Sequence, residues 1–162
     1  MRLSYPIHLA AAESDCVRPF LSYVSVQAVP TPVAVAANGF ILGVVPIELD
    51  PEDVPGLVPA EVLRTAWALR PAEQEYANLL LRTGTIELPD VGGEPYPRHK
   101  PDIAFPDYVK VISNAAPRDT VEARPWALAF APYWLNRLCA ALDLGYGARL
   151  RCGYGSKQTS IV

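Results

Sequence analysis

The chain has little of what catalytic sites are usually built from. Its 162 residues include 2 histidines, 3 cysteines and 1 methionine. Cys16, Cys139 and Cys152 are odd in number, far apart and form no C-x-x-C pair. Free thiols in a reducing compartment are therefore expected, not a zinc or dithiol site. His8 and His99 with scattered acids are too few to hold a metal. Nothing in the sequence brings either histidine to a cysteine as a nucleophile–base pair. "GYGSK" (Gly153–Lys157) resembles a phosphate loop only superficially, because the leading glycine of G-x-x-x-x-G-K-[ST] is missing. Arg98-His99-Lys100 and the acids Asp50, Glu52 and Asp53 read as solvated loops. No catalytic residue, metal or cofactor is expected, and the chain reads as non-enzymatic.

Charge is also scarce. Charged residues make up 19% of the chain, the net charge is −3 and the pI is about 5.4. No global basic field exists to hold nucleic acid, so any such contact needs a local patch. The longest apolar run, Phe40–Ile47, is interrupted by Gly43 and Pro46 and falls far short of the ~20 residues of a membrane span. Met1–Leu9 carries Arg2, Pro6 and His8 with no long apolar core, so a signal peptide is not expected. A soluble, cytoplasmic chain without membrane contact is the expectation.

Proline is abundant. The 17 prolines are about twice the usual share, and they separate apolar runs as punctuation. Apolar residues make up 51% of the chain, enough for a buried core and against disorder.

Residues 3–9 suit a short strand, and Ala10–Asp15 allows a short helix. Phe20–Gln27 alternates, with Leu21, Tyr23 and Ser25 opposite Ser22, Val24 and Val26, which is strand periodicity. Pro32–Leu49 reads as a hairpin turning at Asn38-Gly39. Gly43 within its second strand suggests a bulge or a close neighbour. Val58–Pro71 reads as a helix, with Pro59 and Glu61 at its start and Arg70 at its end. Its apolar stripe is Val62, Ala66 and Leu69, flanked by Leu63 and Trp67. Ala77–Asp90 is a second hairpin turning at Thr83-Gly84, and Val91–Asp102 a loop. In "FPDYVKVI" (Phe105–Ile112), proline fixes φ and the acid can bond nearby backbone, making a corner beside a strand. Ser113–Pro125 reads as a linker, Trp126–Phe130 as a strand and Pro132–Leu144 as a helix. Ala148–Tyr154 and Ser156–Val162 form a closing hairpin. The expected organisation is one unit over 1–112, a linker over 113–125 and a partial strand–helix–hairpin unit over 126–162. Arg149 and Arg151 are two apart on a strand, with Lys157 across the turn, and could follow a phosphate backbone.

Four segments in order resemble one domain of the bacterial DNA polymerase sliding clamp, the β-type processivity factor. They are "FLSYVSVQ", "VAVAANGFILGVVPIEL", "GLVPAEVLRTAWAL" and "FPDYVKVI". The family writes the second with A-T-D-G-H-R-L-A and the third with I-P-R-K. The tail "WALAFAPYWLNRLCAALDLGYGARLRCGYGSKQTSIV" is similar to the late strand–helix–hairpin of the following clamp domain. The resemblance spans roughly residues 20 to 162. It departs at Asn38-Gly39-Phe40-Ile41, which replaces Asp-Gly-His-Arg, and at Ala60-Glu61, which replaces a basic pair. It implies an α+β DNA-clamp-like fold, with antiparallel sheets and helices packed on one side. The implied function is a processivity factor that forms a homo-oligomer around duplex DNA and tethers polymerase or other clamp-binding peptides. The peptide-pocket positions it implies are Leu42, Pro106, Lys110 and Val111, and the DNA-contacting candidates are Arg149, Arg151 and Lys157. The alternative is a clamp-like adaptor or mimic that binds a replication protein without encircling DNA.

Overall fold

The Asn38-Gly39 pair turns the chain as its chemistry requires. Gly39 takes φ +93°, and the Asn38 side-chain oxygen accepts the N–H groups of Phe40 (3.0 Å) and Ile41 (3.1 Å). The hairpin joins β3 (Val33–Ala37) to β4 (Leu42–Pro46), in register from Ala37 opposite Leu42 to Val33 opposite Pro46. The computed structural model that shows this describes residues 1–13, 17–98, 104–110, 132–142, 150–154 and 157–161. On the other side of β3 lies β2 (Tyr23–Gln27), and beyond it β5 (Gly56–Pro59). The result is an antiparallel sheet in the order β4-β3-β2-β5.

The second hairpin builds a second antiparallel sheet. β6 (Ala77–Asn78) and β7 (Leu80–Leu81) lead through a turn with Gly84 at φ +82° into β8 (Thr85–Glu87). β9 (Tyr96–Pro97) closes the order β7-β8-β9. β1 (Arg2–Leu3) pairs with β6 in a separate two-stranded sheet. Met1 and Leu79 exchange backbone bonds of 2.6 and 2.9 Å, so the pairing runs the length of 77–79. On its other side Arg2 exchanges backbone bonds with Glu48 (2.8 and 3.2 Å).

Two half-units follow from this order. The first is β1, a 3-10 helix η1 (Ile7–Ala10), then β2, β3 and β4. The second is β5, helix α1 (Ala60–Ala68), then β6/β7, β8 and β9. Each half-unit sends its first strand to pair with a strand of the other: β1 with β6, in a two-stranded ladder of their own, and β5 with β2. The fold is a mixture of antiparallel sheets and a few helices, the α+β class expected from the sequence.

Several local expectations change. Of the strand expected over 3–9 only Leu3 is strand, as the second residue of β1, and Ile7–Ala10 is helical. Pro6 has no N–H to continue the ladder. Ile7 then lies over Gly43, where a Cβ would sit 2.7 Å from its Cδ1, so Gly43 marks a close neighbour. The strand expected from Phe20 begins at Tyr23, because Pro19–Ser22 forms a second 3-10 helix, η2, with the Ser22 hydroxyl donating to the Pro19 carbonyl (2.7 Å). Val24, Ser25 and Val26 are all buried, so β2 is covered on both faces and simple alternation fails.

α1 starts directly after Pro59, with Glu61 in its first turn, and buries Ala60, Val62, Leu63 and Ala66. Arg70 closes it by donating to the Trp67 carbonyl (2.6 Å) with its guanidinium 4.1 Å from the Trp67 ring centroid. Leu69, expected in the apolar stripe, is exposed because it is the C-cap and has left helical geometry. β9 lies within the expected loop 91–102. Leu3, Ile7, Val24, Val45, Val58, Leu63, Leu79, Leu81 and Ile86 join both sheets, η1 and α1 in one core, each contributing roughly 2 kcal/mol by burial.

The later helix, α2 (Pro132–Ala141), buries Ala141 and packs on η1 and β4. β10 (Leu150–Tyr154) and β11 (Lys157–Ile161) pair as the expected closing hairpin. The expected linker 113–125 and strand 126–130 lie outside the described residues. Among the described residues no helix is long and apolar enough to cross a membrane.

Candidate functional site

Among the described residues, the β3–β4 hairpin exposes apolar side chains close together. Leu42 opens β4 opposite Ala37 and is half-buried. Val44, two residues on and on the same face of the strand, is partly exposed, and Phe40 beside the turn is 73% exposed. α2 brings aromatic rings to this place. Trp134 stacks on Phe40 with centroids 4.5 Å apart and planes 14° apart, and Tyr133 meets Trp134 edge-on at 4.7 Å. Tyr133 is itself exposed.

Arg137, one turn further on, ties α2 to η1. Its Nε donates to the Leu9 carbonyl and its Nη2 to that of Ala11 (2.9 Å). Its Nη1 donates to the Tyr133 hydroxyl (3.2 Å). Sequence reading missed this cluster. Phe40 and Trp134 lie in separate expected units, and only tertiary packing joins them.

Residues 104–107 carry no regular element, and the strand expected beside the Pro106 corner is not seen among the described residues. Pro106 is exposed, and residues 108–110 make a helical turn rather than an extended tail. The Asp107 carboxylate caps this turn by accepting the Lys110 N–H (3.2 Å), and it also pairs with the Lys110 ammonium (3.3 Å). That backbone bond is the first reason the Asp107 carboxyl titrates below its ordinary range. Pro106 and Lys110 share this corner, while Leu42 stands on the hairpin. Val111 and Arg149 lie outside the described residues. The β10–β11 register pairs Arg151 with Ser160 and Lys157 with Tyr154, so positions 151 and 157 are not cross-strand neighbours.

A separate groove of about 770 Å³ opens between η2, the start of α1 and β9. Pro19, Tyr23, Pro59 and Tyr96 line it, with Glu61 and Arg64 as its charges on α1. Nothing in the sequence had brought these elements together.

Two titratable groups are buried near the core. Asp53, expected in a solvated loop, is buried and accepts the N–H groups of Leu81 and Asp50 (both 2.9 Å) and the Met1 ammonium. Burial pushes its carboxyl upward, but these bonds outweigh it and hold the carboxyl below its ordinary value. His8 on η1 is buried, and its Nδ1 makes no hydrogen bond among the described residues. Burial first, then the charges of Arg64 and Arg137, lower its pKa to about 4.

Arg98 is likewise no solvated loop residue. It donates to the carbonyls of Val54 (2.7 Å), Leu57 (3.3 Å) and Arg82 (3.4 Å). Cys139 is a free, half-buried thiol. Among the described residues no three His, Cys, Asp or Glu side chains gather as metal ligands. No protein-family model, curated protein or solved structure matches the chain.

Proposed function

We propose that the chain is a clamp-like, non-enzymatic tether that docks a short peptide of a polymerase or other replication protein on the β3–β4 hairpin. The observation that carries this reading is the exposed apolar surface of Phe40 and Val44 beside half-buried Leu42. It stands on the hairpin whose second strand, by resemblance to sliding clamps, supplies a peptide-pocket position. Strand and side-chain pockets of this kind hold extended peptides through apolar anchors. The strand exchange between half-units fits a clamp-like fold, which is part of the same proposal.

The test is calorimetric titration with a short synthetic peptide carrying leucine and phenylalanine anchors. Binding should weaken at least about tenfold in Leu42→Asp and Pro106→Asp, with circular dichroism unchanged. Equal affinity in both variants would remove the reading.

A second reading has several copies closing around duplex DNA. It is favoured by the order of α2, β10 and β11, which repeats the helix-then-hairpin order of the half-units. Against it, the outward side of α1 exposes Glu61 beside Arg64 and not a row of basic residues. Light scattering with and without circular DNA decides it: a fixed multimer that threads onto circles supports the ring, and a particle indifferent to DNA sinks it.

A further inference from the structure

The hairpin surface is already occupied in part by the chain's own α2. This helix packs on β4, the strand that begins with Leu42, and on η1. Its Trp134 ring lies nearly parallel on Phe40 at 4.5 Å, the kind of stack an aromatic anchor makes with an exposed ring. Its grip combines half-buried apolar side chains, Ala141 in the common core and a polar latch. Arg137 reaches two backbone carbonyls of η1 and the residue after it, Leu9 and Ala11. Under this latch sits His8, flanked by Arg64 and Arg137 with its own Nδ1 unbonded. One side of α2 stays at the surface: Tyr133, Asn136 and Ala140 are exposed, Trp134, Leu135, Arg137, Leu138 and Cys139 are half-buried, and only Ala141 is fully buried. A helix with one fully buried residue, half-buried Leu135, Leu138 and Cys139 and an exposed outer side is held less firmly than the core elements, which places it toward the weakly held end of a fold's stability range.

We propose that α2 is an autoinhibitory strap. Trp134 stands in for the aromatic anchor of an incoming peptide, and Arg137 is the latch that keeps the strap down. The inference rests on the peptide-docking reading. Peptide binding then competes with the closed strap, and the apparent affinity is the intrinsic one reduced by the open fraction.

The two arms of the test separate its failure from that of the reading beneath it. Arg137→Ala and Trp134→Ala should each tighten binding of the leucine–phenylalanine peptide, by about tenfold if the strap is closed about nine-tenths of the time. In the unaltered protein, hydrogen exchange of residues 132–142 should speed up when the peptide is added, because the strap is displaced. Weaker binding in Trp134→Ala, with slower exchange in 132–142, would make α2 a wall of the site and overturn the strap. Unchanged affinity in both variants would overturn it as well. Binding in none of the three proteins would instead remove the docking reading, and the strap with it.

Discussion

Asp53 depends on the donors around it: the Met1 ammonium and the N–H groups of Leu81 and Asp50. Asp53→Ala leaves the buried Leu81 amide without its acceptor and the Met1 ammonium without its buried carboxylate, with only the Leu79 carbonyl and the exposed Asp50 carboxylate beside it. The expected loss is about 3 kcal/mol, read as a lower urea midpoint at unchanged slope. Acid reports both buried groups. A histidine whose folded pKa is depressed contributes stability that is complete above its unfolded value of 6.5 and is lost as pH falls toward about 4. The loss for His8 should reach at most about 3 kcal/mol over that window. Asp53 follows the same sign lower down: its contribution is present above the ordinary value of 3.8 and is lost as pH falls through the depressed folded value. Unfolding free energy measured against pH should therefore decline in two steps, and His8→Leu should abolish the upper step alone. A single step, or an upper step that survives in His8→Leu, would contradict this assignment.

Among the elements, the β3–β4 hairpin is the most completely specified by local chemistry. Asn38→Ala removes the acceptor of the Phe40 and Ile41 amides and should cost about 1 kcal/mol. Gly43→Ala brings a Cβ within 2.7 Å of Ile7 Cδ1. That atom ends a flexible side chain, so the cost should also be near 1 kcal/mol, checked by thermal denaturation. The hairpins, α1, α2 and the closing β10–β11 pair were legible because turn residues, a helix start and apolar periodicity each act over a few residues. The 3-10 helix at Ile7–Ala10 was not, since its apolar residues suit a strand equally well and Pro6 alone marks the break. β9 was hidden because its two residues, Tyr96 and Pro97, pair only by tertiary placement beside β8. The acids 50–53 looked alike in sequence. Only the fold buries Asp53 and leaves Asp50 and Glu52 outside.

For the whole molecule, the exchange of first strands ties the two sheets into one cooperative body. Leu3 is fully buried on β1, which belongs to the first half-unit by order and to the second by pairing. Leu3→Ala should cost about 3 kcal/mol, and hydrogen exchange should accelerate in β2–β4 and in β7–β8 together. Acceleration confined to one sheet would contradict the exchange. The half-unit order was not legible from residues, because pairing partners so far apart leave no mark on local periodicity. Leu42, Pro106, Lys110 and Val111 came from the resemblance to sliding clamps, and of these only Leu42 stands on the hairpin, while Phe40, Tyr133 and Trp134 came together only in the folded chain. The central claim is that the hairpin, and not the groove beside α1, receives the partner. Amide chemical-shift mapping of the isotope-labelled protein with the leucine–phenylalanine peptide tests it most directly. The account predicts the largest shifts in residues 37–46, with others in 132–142. Shifts centred on Pro19, Tyr23 and Tyr96, or none at saturating peptide, would contradict it.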